Sequence, residues 1–93
     1  MPVDEQVDAC VEKLEEIAEE MRQKGVKKRA IPRWKLFDET EGVSMSTMNY
    51  NGCAPMIAAK SSIATFDARW GENRRATYLI DLEEEDGLEE ESD

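Results

Sequence analysis

Residues 62 to 82, SIATFDARWGENRRATYLIDL, decide the fold, because they read as two alternating strands around one turn. A three-residue loop Gly71-Glu72-Asn73 places Trp70 opposite Arg74, and the register then sets Ala68 against Ala76, Phe66 against Tyr78 and Ala64 against Ile80. One face becomes Ala64, Phe66, Ala68, Trp70, Ala76, Tyr78, Ile80 and Leu82. The other holds Thr65, Asp67, Arg69, Arg75, Thr77 and Asp81, with only Ile63 and Leu79 apolar. This parity is that of a half-buried antiparallel hairpin, which needs an apolar surface to cover it.

That surface lies at the start of the chain. Val7, Val11, Leu14, Ala18 and Met21 recur at three- and four-residue steps, widened by Cys10 and Ile17, and predict a helix from about Asp4 to Lys24. Pro2 and the acids Asp4, Glu5 and Asp8 suit the positive end of a helix dipole, and Gly25 supplies the stop. Between the two segments, residues 24 to 35 read as a basic connector, with Pro32 and Gly25 opposing a continued helix. Val43 to Tyr50 alternates loosely before Asn51-Gly52, a two-residue hairpin signal, and predicts a further strand and turn. Pro55 opposes a central strand over 53 to 60, where Met56 to Lys60 reads equally well as a helical turn. The expected fold is α+β: one N-terminal amphipathic helix on an antiparallel sheet of three to four strands, forming a single domain over 1–82. Residues 83–93 are almost purely acidic and are expected to form a mobile tail.

Charge is sorted along the chain. Residues 1 to 22 carry eight acids and two bases, 23 to 36 carry six bases and no acid, and 81 to 93 carry nine acids and no base. The net charge of −10 over 93 residues repels nucleic acid and membranes and attracts basic protein surfaces. Opposite the apolar stripe, Asp8, Glu12, Glu16 and Glu20 stand at i,i+4 steps, with Glu15 and Glu19 as a second row. Like charges at that spacing cost a few tenths of a kcal/mol per pair. Either strong packing tolerates the ridge, as an ordinary solvated face, or a partner reads it.

No histidine is present, which removes the usual proton shuttle near neutral pH and most zinc sites. The acids fall on expected exposed faces rather than in an apolar pocket that would raise a catalytic pKa, so no enzyme activity and no catalytic residue are expected. The five glycines are scattered singly, which gives no phosphate loop, and the acid runs lack EF-hand spacing. No cofactor and no metal are expected. Cys10 and Cys53 are read as free thiols of a reducing, cytoplasmic protein, and no apolar run reads as a membrane segment.

Carboxylates three and four residues apart on a helix stand about 5 to 6 Å apart at Cβ, comparable with phosphates along a strand. The leading expectation is therefore a non-enzymatic inhibitor that docks on a basic, nucleic-acid-binding surface of a partner protein. Asp8, Glu12, Glu15, Glu16, Glu19 and Glu20 form its rigid part, and Glu83, Glu84, Glu85, Asp86, Glu89, Glu90 and Glu91 its steering part. In composition the chain resembles phage-encoded inhibitors of nucleases and CRISPR effectors, which implies a DNA mimic of anti-CRISPR or antirestriction type. The alternative is a small nucleic-acid-binding regulator using Lys24, Lys27, Lys28, Arg29, Arg33, Trp34 and Lys35 with Arg69, Arg74 and Arg75, autoinhibited by the acidic tail. Pairing of the connector with the tail, or with the ridge of a second copy, is the bland use of those bases. A third reading, an antitoxin or assembly chaperone for a basic client, differs from the first only in its client. Small size alone also favours a homodimer.

Overall fold

The computed structural model describes residues 2–68 and 76–83. It has the α+β architecture, with the element order α1 (Val3–Lys24), β1 (Lys28–Pro32), α2 (Arg33–Glu39), α3 (Met45–Tyr50), α4 (Ala54–Lys60), β2 (Ala64–Ala68) and β3 (Ala76–Asp81). The hairpin register is the one its alternation predicts: Ala64 faces Ile80, Phe66 faces Tyr78 and Ala68 faces Ala76, antiparallel. Ala64, Tyr78, Ile80 and Leu82 are buried, and the Phe66 and Tyr78 rings meet at 5.1 Å between centroids. Residues 69–75, which hold the expected loop Gly71-Glu72-Asn73 and Arg69, Trp70, Arg74 and Arg75, lie outside the described residues.

Helix α1 forms where the apolar stripe requires it, and Val7, Cys10, Leu14, Ile17, Ala18 and Met21 are all buried. It stops at Gly25, whose φ of 72° is left-handed. The Gly25 N–H donates to the Arg22 carbonyl and the Val26 N–H to the Met21 carbonyl, which satisfies the last turn as a Schellman motif.

Three expectations are corrected. The connector is not irregular: Lys28–Pro32 is a strand that pairs antiparallel with β3, Ile31 against Tyr78, so the sheet order is β1-β3-β2. Pro32 fits because it ends an edge strand, where its missing N–H breaks no ladder bond. The segment expected as a third strand, Val43 to Tyr50, contains α3 instead. Ser44 Oγ accepts from the Thr47 N–H at its start. Asn51-Gly52 does not make a hairpin turn; Gly52, at φ 60°, closes α3 as a second Schellman cap, with the Cys53 N–H on Met48 O and the Gly52 N–H on Asn49 O. One long helix and an alternative helical turn over Met56 to Lys60 were expected, and four helices are present among the described residues: α2 follows Pro32 directly, and α4, which takes the helical alternative, carries Pro55 in its first turn, where a missing N–H costs nothing.

The helices form one layer and the sheet the other. Ile31, Tyr78, Ile80 and Ala64 on one sheet face join α1, α2, α3 and α4 in a single core. On the opposite face Lys28, Ala30, Thr65, Leu79 and Asp81 are exposed. The buried Tyr78 hydroxyl donates to the Ala54 carbonyl at 2.8 Å, tying the central strand to α4. The Gln6 side-chain carbonyl, also buried, accepts from the Ser44 N–H at 2.9 Å and ties α1 to α3.

Candidate acidic docking site

Every acid of the expected ridge is exposed on α1. The structure separates them into two sets. Glu12, Glu15, Glu16 and Glu19 line an open hollow of about 810 Å³, whose far wall is Glu39, Thr40 and Glu41. Asp8 and Glu20 sit on its flanks with bases of their own: Lys60 Nζ is 3.2 Å from Asp8, and Lys24 Nζ is 2.7 Å from Glu20. The Lys24 hydrogen bond holds the Glu20 carboxyl below the usual range. Glu19 is 3.0 Å from Arg22. No described ion pair involves Glu12, Glu15, Glu16, Glu39 or Glu41.

Sequence reasoning missed Glu39 and Glu41. They reach the site because Thr40 between them is drawn inward: it is buried, its hydroxyl donates to the Leu36 carbonyl at 2.6 Å, and it hydrogen-bonds the Cys10 side chain. With Thr40 anchored against α1, its neighbours are left at the rim. The signal was the pair of acids around a β-branched polar residue, which periodicity alone does not read. The hollow thus gathers six carboxylates from two chain segments around one ammonium, Lys13. Such a hollow is suited to a projecting cationic element, with Arg able to meet a carboxylate in bidentate fashion.

Of the expected steering residues, Glu83 lies 3.6 Å from Lys28 Nζ, which also approaches Asp81 at 4.0 Å. Glu84, Glu85, Asp86, Glu89, Glu90 and Glu91 lie outside the described residues. The basic residues of the alternative site do not form one run. Lys24 ends α1, Lys28 and Arg29 are successive on β1 and so point to opposite faces, and Arg33, Trp34 and Lys35 begin α2. Trp34 is 55% exposed, while Arg29, Arg33 and Lys35 are half-buried.

Both thiols are free and buried. Burial pushes Cys10 up to about 11, leaving it a protonated, unreactive thiol at neutral pH. Among the described residues no group of three or more Cys, Asp or Glu side chains is arranged to hold a metal ion. No helix among them is long and apolar enough to cross a membrane. No family model, curated protein or solved structure matches the chain.

Proposed function

We propose that the protein is a non-enzymatic inhibitor: it binds a basic, nucleic-acid-binding surface of a partner protein through the acid hollow and occupies the Lys and Arg side chains that would otherwise hold phosphates. The observation that carries this reading is the convergence of Glu12, Glu15, Glu16 and Glu19 with Glu39 and Glu41 on one concavity. A solvated helix face would explain the first four but not the two that a separate segment brings to meet them. Because α1 and the anchored Thr40 fix the backbone that carries the carboxylates, docking orders side chains but no backbone at the hollow. The acidic residues from Glu83 onward add long-range attraction, which acts mainly on the rate of encounter.

Affinity capture from the native host tests this. The original chain and a variant with Glu12, Glu16 and Glu19 changed to Lys are compared, and DNA or RNA is used to elute. The reading expects a nucleic-acid-binding protein that nucleic acid displaces and that the variant does not retain. Exposed Trp34 between Arg33 and Lys35 favours the second reading, a nucleic-acid-binding regulator. Deleting residues 83–93 separates the two, weakening the inhibitor's hold on its partner but strengthening direct binding of nucleic acid.

A further inference from the structure

The two edges of the sheet are unequal. The Leu82 N–H donates to the Lys27 carbonyl at 2.8 Å, which fixes the alternation of the ladder. Leu82, Ile80 and Tyr78 turn their backbone groups toward β1, so Leu79 and Thr77 turn theirs toward Thr65 and Asp67 of β2. The outward backbone of β1 therefore belongs to Lys28, Ala30 and Pro32, and that of β2 to Ala64, Phe66 and Ala68. The β1 edge is guarded by two flanking charges and a proline without an N–H, the devices by which sheets avoid pairing. The β2 edge has no proline, and its one charge among the described residues is Asp67, whose backbone faces β3. No backbone hydrogen bond to Ala64 or Phe66 from another element is present among the described residues.

The flank around this edge is also unusual in charge. Between Cys53 and Phe66 the single charged residue is Lys60, in a chain of which 37% is charged. Helix α4 packs over β2 and exposes Pro55, Met56 and Ala59, while Phe66 is only half-buried on the core side of the strand. The acid hollow is lined by α1 and residues 39–41, with no residue of α4 or β2.

We propose that the β2 edge is the seam of a homodimer, in which two copies pair β2 with β2 antiparallel about a two-fold axis at Phe66. The three-stranded sheet becomes a continuous six-stranded one. The occupant is a second copy because the strand complements itself: centred on Phe66, it sets Ala64 against Ala68 and Thr65 against Asp67 of the partner, so no charge opposes its like. The two Phe66 rings become cross-strand neighbours and the two α4 helices lie side by side over the join, covering Met56. For a chain of net charge −10 this nearly uncharged flank is where a copy approaches with least repulsion.

Thr65 is exposed, so changing it reads the seam without emptying the core. Sedimentation equilibrium of the intact chain, at about 0.05 and 0.5 M salt, is run for the original, Thr65→Asp and Thr65→Lys, with circular dichroism confirming the fold. Thr65→Asp opposes Asp67 twice by symmetry and is expected to weaken the dimer by roughly three- to thirty-fold, while Thr65→Lys tightens it by a similar factor. Self-association strengthens with salt, and the Phe66 amide exchanges more slowly as the dimer fills. A chain that stays monomeric at about 1 mM overturns the proposal and leaves the edge to a strand of another protein. A dimer indifferent to both substitutions, or one in which the Phe66 amide stays unprotected, overturns it equally.

Discussion

At Tyr78 a buried hydroxyl links the sheet to the helical layer. Its ring is fully buried against Phe66 and its O–H reaches the Ala54 carbonyl, so Tyr78→Phe removes this hydrogen bond without opening a cavity, while the carbonyl keeps its place in the α4 ladder. A loss of about 0.5 to 1.5 kcal/mol is expected in urea unfolding, with no change in slope. Leu14→Ala, at a fully buried position on α1, is expected to cost about 2 to 4 kcal/mol in the same measurement. Cys10 gives a pH dependence. Its folded pKa of about 11 lies above the ordinary 9.0, so the stability it confers is complete below about pH 9 and is lost as pH rises through 11. Burial also raises Tyr78, which acts in the same direction. Unfolding free energy is expected to fall by about 1 to 3 kcal/mol between pH 9 and 11, and Cys10→Ala to flatten part of that fall. A profile that is flat, or that rises with pH, contradicts the burial assigned to these groups.

The elements differ in how far their sequence reveals them. α1 and the β2–β3 pair were legible because each carries a period of apolar residues that faces the core, buried at Val7, Leu14, Ala18 and Met21 and at Ala64, Tyr78 and Ile80, and the hairpin register followed from parity alone. β1 was not: of KRAIP only Ile31 is buried, so no alternation betrays it, and its extended form comes from the open side of β3 that it fills. α3 is six residues long, too short for a helical period to outweigh a loose alternation, and Asn-Gly serves a Schellman cap as well as a hairpin. What distinguished it was Ser44, whose hydroxyl accepts from the Thr47 N–H. Ser44→Ala is therefore expected to cost about 0.5 to 2 kcal/mol in thermal or urea unfolding and to raise amide exchange within α3 selectively. At the candidate site the four acids of α1 were readable from spacing, whereas Glu39 and Glu41 depend on the tertiary anchoring of Thr40.

On the scale of the whole molecule, the sorted charge has two opposite consequences that salt separates. Binding of a basic partner in the hollow weakens as salt screens attraction, and pairing of two acidic copies along β2 strengthens as salt screens repulsion. Removing residues 83–93 is expected to slow partner association more than it speeds dissociation, measurable by surface-immobilised kinetics, because distant charge steers encounter. The most direct test of the inhibitor reading is the affinity of the captured partner for the original chain and for the Glu12, Glu16 and Glu19 to Lys variant, each measured with and without competing nucleic acid. Lys forms helix as well as Glu and breaks up the like-charge ridge, so the fold is expected to survive. The account predicts that the variant loses binding and inhibition, and that nucleic acid displaces the original from its partner. If the reversed protein bound as tightly as the original, or if nucleic acid left the complex intact, the hollow would be an ordinary solvated face and the proposed function would be wrong.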